Sequence, residues 1–302
     1  MPVPAQPVAR LNLPRLVARV NAATGAALQL DGASEHGESG GAGFVHWPDG
    51  RDAVLTVSPL ELVAAQHAAH VLLGVKTAGL PVPRHDLIVP LDGGSVAVVQ
   101  ERLFGEPATW VDEKVVDAMV AMNDRFADLL VGRPDVPAAS SYLRHSAPAI
   151  SGHEALNAYS SRARRVLRHI REVGSDEQEL TGEDLVHLDY TSGNVLFDPA
   201  GEVSGVVDWN FGVARGDRHF ALVKTRLDLS WCLLDPTVDK HHVQVEAVER
   251  LDEILHARVP AEVLQRYWAC WTLYQLPWAI SFEKAEVVDM FLSLAEEHLH
   301  IG

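Results

Sequence analysis

The stretch LVHLDYTSGNVLFDPAGEVSGVVDWNFGVARGD, residues 185–217, decides how this chain is read. Val195-Leu196-Phe197 and Gly205-Val206-Val207 are short apolar strands, and the Asp-Pro-Ala-Gly-Glu between them supplies turn residues. A hairpin centred near Gly201 pairs Asn194 with Asp208. Facing β-carbons in such a pair are ~4.5–5.5 Å apart, so an amide oxygen and a carboxylate meet at one end of the hairpin. Asp189 lies just upstream, on the loop that enters it. Register controls this expectation, because a slip of one residue sends a side chain to the opposite face.

Hard oxygen donors of this kind, one neutral and one charged, suit Mg²⁺, which keeps several waters and is commonly shared with phosphates. A further carboxylate beside them that does not ligate the metal can accept a proton from an attacking hydroxyl. The set is a toolkit for phosphoryl transfer. Taken singly, Asn194 and Asp208 read as residues that end strands and cap turns; all three bordering apolar strands favour the chemistry.

Working outward, the N-terminal part alternates short strands and turns. Leu28 to Asp31 leads into the glycine-rich stretch 32–43, and Phe44–Trp47, Pro48-Asp49-Gly50 and Ala53–Val57 read as a hairpin. Ser58-Pro59-Leu60-Glu61 has the pattern of a capping box with proline at the first helical position, predicting a helix to about Ala78, stopped by Gly79 and Pro81. Ser95–Gln100 is a further strand, ending in a linker. Beyond Gly105 the period becomes helical, with Val115, Met119, Met122, Phe126 and Leu130 on one face. Ser151-Gly152-His153-Glu154 opens another predicted helix, with Leu156, Tyr159, Ala163, Val166, Leu167 and Ile170 as its stripe. Strand signal in this half is confined to Leu185–Trp209. A small sheet unit over 1–103 and a helical unit over 104–302 are therefore expected.

His187-x-Asp189-x-x-x-x-Asn194-Val195-Leu196 followed by Val206-Val207-Asp208-Trp209 resembles the catalytic loop and metal-binding motif of the aminoglycoside phosphotransferase family. The order of elements resembles it too. The resemblance implies an α+β, bilobal, protein-kinase-like fold with a small antiparallel-sheet N-lobe and a larger, mostly helical C-lobe. It implies ATP and Mg²⁺ as cofactors, Asp189 as catalytic base, Asn194 and Asp208 as metal ligands, and His187 as a structural residue of the loop. The linker at Gln100, Glu101 and Leu103 would hold adenine, and Ser39, Gly40 and Gly41 would lie over the phosphates. The chain departs from the family pattern at Thr56, where a lysine is expected, and at Ala221, where a second aspartate is expected. Arg51, Lys76 and Arg84 are open alternatives for the missing cation. The acceptor implied is a hydroxyl of a small, cationic metabolite or antibiotic, with acidic residues among Glu283, Glu286, Asp289, Glu296 and Glu297 as candidate receivers of its amino groups. A catalytically silent kinase-like module that binds nucleotide or ligand is the alternative.

Composition narrows the field independently. Among 302 residues, 41 acidic against 25 basic side chains give a net charge of −16, which disfavours binding to a nucleic-acid backbone. Two cysteines are too few for a stapled secreted scaffold. The N-terminus lacks an apolar signal region, and no run of ~18 apolar residues could span a bilayer. A soluble, cytoplasmic protein is expected. Gly37-Glu38-Ser39-Gly40-Gly41 fits G-x-S-x-G, but a strand follows it where a hydrolase elbow requires a helix. The pairs His67/His70 and His241/His242 lack the cysteine partners or the H-E-x-x-H arrangement of a metal site. Tyr267, Trp268, Trp271, Tyr274 and Trp278 keep helical spacing and read mostly as core.

Overall fold

A computed structural model describes residues 11–34, 41–140, 142–144, 152–174, 180–235, 242–282 and 284–301. Helix α1 (Leu13–Thr24) starts at Asn12, whose side chain accepts from the Arg15 N–H, and closes on Gly25 in the left-handed conformation. It lays Leu16, Val17 and Val20 against the strands that follow. These are β1 (Gln29–Ala33), β2 (Gly43–His46) and β3 (Asp52–Ser58), then helix α2 (Leu62–Thr77), β4 (His85–Pro90) and β5 (Val96–Glu101). All pairs are antiparallel, in the order β1-β2-β3-β5-β4. The Asp49-Gly50 turn forms as expected, with the Gly50 N–H donating to the Trp47 carbonyl at 2.9 Å.

Three features of this part differ from the sequence reading. Helix α1 and strand β4 were not anticipated. The capping box at Ser58 does not form: Ser58 is the last residue of β3, and the helix begins at Leu62. The Ser58 hydroxyl instead accepts from the Leu60 N–H and donates to the carbonyl of Asn210, holding Ser58 in the strand.

After the sheet come β6 (Glu106–Pro107), β7 (Trp110–Val111), α3 (Glu113–Asp124), α4 (Gly152–Tyr159), α5 (Ser161–Val173), β8 (Asp184–Val186), β9 (Val195–Phe197), β10 (Val203–Val206) and β11 (Ala214–Gly216). Helix α6 (His219–Leu234), β12 (His242–Val243), α7 (Val245–Arg258), α8 (Ala261–Ser281) and α9 (Ala285–His298) complete it. The stripe expected as one helix over 156–170 belongs to two, because Ser160 caps α5 by accepting from the Ala163 N–H. Helix α3 stops at Asp124, yet Phe126 and Leu130 stay buried on the turns beyond it, Leu130 donating to the Glu183 carbonyl at 2.9 Å.

One continuous apolar cluster runs from α2 through α3 to α9, and Trp268, Trp271, Tyr190 and Phe126 are its largest fully buried members. The aromatic series of α8 is thus core, with Phe220 stacked on Trp271 at 4.8 Å. Between sheet and helical part the chain passes Gly105 at φ 107, where a β-carbon would stand 2.2 Å from Ser204 Oγ and 2.6 Å from the Phe197 carbonyl oxygen. Only glycine fits there. This close passage lets β6 join β9 and β10 as a three-stranded sheet at the junction.

Candidate active site

Strands β9 and β10 form the expected hairpin, in a different register. Val203 pairs with Phe197, Gly205 with Leu196 and Val206 with Val195, with a bulge between Val203 and Gly205. The turn is tightened by the Asp198 carboxylate, which accepts from the N–H groups of Ala200 and Glu202 at 2.8 and 3.0 Å. It is centred before Gly201, and the bulge restores only part of the offset. Asn194 therefore lies opposite Val207, whose N–H donates to the Asn194 carbonyl at 2.9 Å. The expected facing of Asn194 and Asp208 along one ladder is corrected accordingly. What returns Asp208 to the site is its own backbone: at φ 60 it leaves the strand in the left-handed conformation.

The loop before the hairpin is held from both sides. His187, buried, is kept neutral by desolvation, with its pKa lowered to about 4. Its Nε2–H then donates to the Val207 carbonyl at 2.9 Å, and its Nδ1 accepts from the Asp189 N–H at 3.1 Å. Helix α6 grips the loop at three places. Thr225 Oγ1 donates to the Tyr190 carbonyl at 2.6 Å, and Asp228 accepts from both the N–H and the hydroxyl of Ser192 at 3.2 and 3.0 Å. Lys224 Nζ lies 3.2 Å from Asp189 Oδ1, its side chain only 13 % exposed. The position expected to carry a second aspartate is indeed Ala221, and α6 supplies a loop-holding carboxylate two turns later, at Asp228. Asn194 completes the frame, Nδ2 donating to the Asp189 carbonyl at 2.8 Å, with the Asp189 carboxylate at 3.4 Å.

Asp189, Asn194 and Asp208 thus converge, though by a route the hairpin register does not provide. Burial pushes the Asp208 carboxyl up to about 6, the negative charge of Asp189 adds to this, and hydrogen bonds from Asn210 oppose it. The Asp208 carboxylate, close enough to Asp189 to feel its charge, and an amide whose nitrogen is tethered and whose oxygen remains as a donor atom form an oxygen-lined, electronegative niche. That donor chemistry fits Mg²⁺, which takes few protein ligands and fills its shell with water and phosphate oxygens. Among the described residues no group of three or more His, Cys, Asp or Glu converges as an all-protein metal cage, and His67 instead bonds Asp135 at 2.9 Å.

The N-terminal side of the cleft is neutral where a cation was sought. Thr56 pairs with Val98 in the sheet, and its hydroxyl donates to Asn210 Oδ1 at 2.9 Å. Asn210 Nδ2 in turn donates to Asp208 Oδ1 at 2.6 Å. Arg51, Lys76 and Arg84 have carboxylate partners elsewhere: Asp49 at 2.8 Å, Glu101 at 3.0 Å and Asp86 at 2.6 Å. Gln100 is buried at the end of β5, and Leu103 packs over Gly205, its Cδ1 3.1 Å from where a β-carbon would stand. Gly41 adopts φ 82 next to β2; Ser39 and Gly40 lie outside the described residues.

Sequence reasoning missed Lys224, Asp228 and Asn210. Asn210 directly follows the Asp208-Trp209 pair and so carried a signal, whereas nothing in the spacing of α6 marks its lysine. Two of the acidic residues considered as receivers of a cationic acceptor have other work on α9: Glu296 takes Arg162 and Arg165, each at 2.7 Å, and Asp289 takes Arg162 at 3.3 Å. Glu283 lies outside the described residues. A cavity of about 280 Å³ adjoins the loop at Leu188, bounded by Leu60, Phe211, Phe220, Trp271 and Tyr274, and its described walls carry no carboxylate.

Comparison with solved structures places this architecture among aminoglycoside kinases. A thermostable aminoglycoside phosphotransferase APH(4)-Ia in ternary complex with ADP and hygromycin B matches with a TM-score of 0.62 at 16% identity, over 91% of this chain and 94% of that one. An aminoglycoside-3'-phosphotransferase of type VIII matches at 0.57 and 18% identity, over 91% and 98%. APH(2")-IIia in complex with GDP and kanamycin matches at 0.57 and 13% identity, over 94% and 98%. At these identities the likeness establishes the bilobal kinase-like fold. No curated protein matches the chain. No helix among the described residues is long and apolar enough to cross a membrane. Residues 35–232 match the phosphotransferase enzyme family, and with two-thirds of its length inside that match the chain belongs to this family.

Proposed function

We propose that this phosphotransferase moves the γ-phosphoryl group of ATP, with Mg²⁺, to a hydroxyl of a small, cationic metabolite or antibiotic. The observation that carries the reading is the convergence of Asp189, Asn194 and Asp208 on a loop braced by α6, with the Lys224 ammonium 3.2 Å from the Asp189 carboxylate. In this reading Asp189 accepts the proton as the acceptor O–H bond breaks. The acceptor oxygen bonds to the γ-phosphorus, and the bond from that phosphorus to the β,γ-bridging oxygen breaks, its electron pair leaving with ADP. Asn194 and Asp208 hold the metal, which supplies charge neutralisation on the phosphates. The nucleotide lies between residues 1–103 and 104–302, adenine against the Gln100–Leu103 backbone, with Ser39, Gly40 and Gly41 toward the phosphates, while Thr56, which stands where a phosphate-pairing lysine is expected, is bonded to Asn210 instead. Relatives of this fold were crystallised with ADP and hygromycin B or with GDP and kanamycin, and the net charge of −16 favours a cationic acceptor. ATP supply implies a cytoplasmic location.

The test is acceptor-dependent conversion of ATP to ADP, with ³¹P NMR detection of a new phosphomonoester, across aminoglycosides, aminosugars, peptide antibiotics and choline. A product that forms only with Mg²⁺ is expected. Nucleotide binding that ignores the metal, with no turnover on any acceptor, would favour a silent binding module instead.

A further inference from the structure

Resting on that reading, we infer that Thr56 is a positioning residue for the metal site: its hydroxyl, acting through the side-chain amide of Asn210, holds the Asp208 carboxylate in place from the opposite lobe. The link joins positions 154 residues apart in sequence by two side-chain hydrogen bonds, Thr56 Oγ1 to Asn210 Oδ1 at 2.9 Å and Asn210 Nδ2 to Asp208 Oδ1 at 2.6 Å. The direction of each bond is fixed by chemistry. The amide oxygen only accepts and the amide nitrogen only donates, so a hydroxyl on β3 and a carboxylate at 208 are the complementary partners at its two ends.

Asn210 is held a second time by the same strand, its backbone carbonyl accepting from the Ser58 hydroxyl. Thr56 and Ser58 are both buried, and alternate positions on a strand face the same way. Two neighbours on one face of β3 therefore clamp one residue of the helical lobe, and that residue bonds the carboxylate. The clamp matters because Asp208 has left its strand at φ 60 and has no ladder to fix its side chain. The cation missing from position 56 is thus not simply absent. The position is occupied by a neutral group whose partner is the residue that bonds Asp208, so sheet and metal site are tied to each other by side chains.

The test uses the full chain, with ADP and Mn²⁺ as probes, reading metal binding by electron paramagnetic resonance and ADP binding by calorimetry with and without metal. Thr56→Val keeps the shape and removes the donor. Its Mn²⁺ affinity in the presence of ADP is expected to fall by about three- to tenfold, while metal-free ADP affinity stays unchanged. Thr56→Ser, which keeps the hydroxyl, should restore Mn²⁺ binding to within about twofold. Asn210→Ser breaks the same link from the other lobe and keeps the question decidable should Thr56→Val not fold; it should weaken Mn²⁺ at least as much. Wild-type Mn²⁺ affinity in Thr56→Val or in Asn210→Ser would overturn the inference. So would equal weakening of ADP with and without metal, which would make Thr56 a nucleotide contact. If the unaltered chain binds ADP with no dependence on metal, the nucleotide reading itself fails, a result distinct from intact metal binding in the variants.

Discussion

The two walls of the cleft are built on opposite electrostatic plans. On the helical side, α6 presents Lys224, Thr225 and Asp228 to successive parts of one loop, so charge and hydrogen bonds are concentrated on Asp189 to Ser192. On the sheet side, β3 presents Thr56 and Ser58, both neutral, and both directed at Asn210. The contrast teaches that the cation nearest the candidate base belongs to a helix of the large lobe, while the strand contributes alignment. Charge at the candidate base and alignment of the metal loop are thereby carried by different elements, and each can be perturbed alone.

The sharpest way to break this contrast is Asp189→Asn, which keeps the loop's backbone contacts and removes the base. Turnover should fall by about 10²–10⁴-fold with ADP binding preserved, and a rate within twofold of the parent would disprove the assignment. Lys224→Met comes next. It removes a charge-assisted contact from a partly buried carboxylate, and a loss of about 10–100-fold in kcat is expected, with a smaller change in the KM for ATP. An effect on KM alone would move Lys224 from the reaction centre to nucleotide binding.

The third probe is stability against pH. Asp208 titrates at about 6 in the folded protein against 3.8 in an unfolded chain. A raised folded value means that this group favours folding fully below the unfolded pKa, and that the benefit is lost as pH rises through about 6. Metal-free Asp208→Asn should therefore be more stable than the parent at pH 7.5, by about 3 kcal/mol. The advantage should vanish below pH 4, and Mg²⁺ with ADP should reverse it. Calorimetric unfolding scans across pH measure this directly; a variant less stable than the parent at neutral pH would contradict the electrostatic account. Ser192→Ala should have the smallest effect, about 1 kcal/mol of stability, since the Ser192 N–H still reaches Asp228. A larger loss in a thermal melt would show that the helical wall depends on that hydroxyl more than its geometry implies.

The candidate site residues are nominated by the sequence because their signal is local. His187, Asp189 and Asn194 fall within one short loop, and Asp208 follows two residues after the adjoining strand, so residue type and spacing suffice to nominate them. Their exact mutual placement was not legible. It depends on a bulge at Ser204 and on a left-handed residue at Asp208, neither of which leaves a periodic trace. Partners distant in sequence were invisible for another reason: the bond from Thr56 to Asn210 exists only once the lobes meet. Ser58 is similar: its capping pattern is present in the sequence, but a tertiary bond to the Asn210 carbonyl keeps it at the end of β3. Helix α1 does carry a sequence signal, Asn12 before Leu13-Pro14 with Leu16, Val17 and Val20 on one face. The break at Ser160 shows how an apolar stripe can continue across two helices when a capping residue interrupts the backbone between them.

Gly105 sets a boundary for anyone who wishes to retune this enzyme. A randomised library over the crossing between its halves can vary Phe104 and Glu106, whose side chains face solvent, but every clone with a side chain at 105 must force apart two strands that touch the backbone there. Selections that recover only glycine at that codon would report backbone crowding, with no bearing on which substrates the cleft accepts.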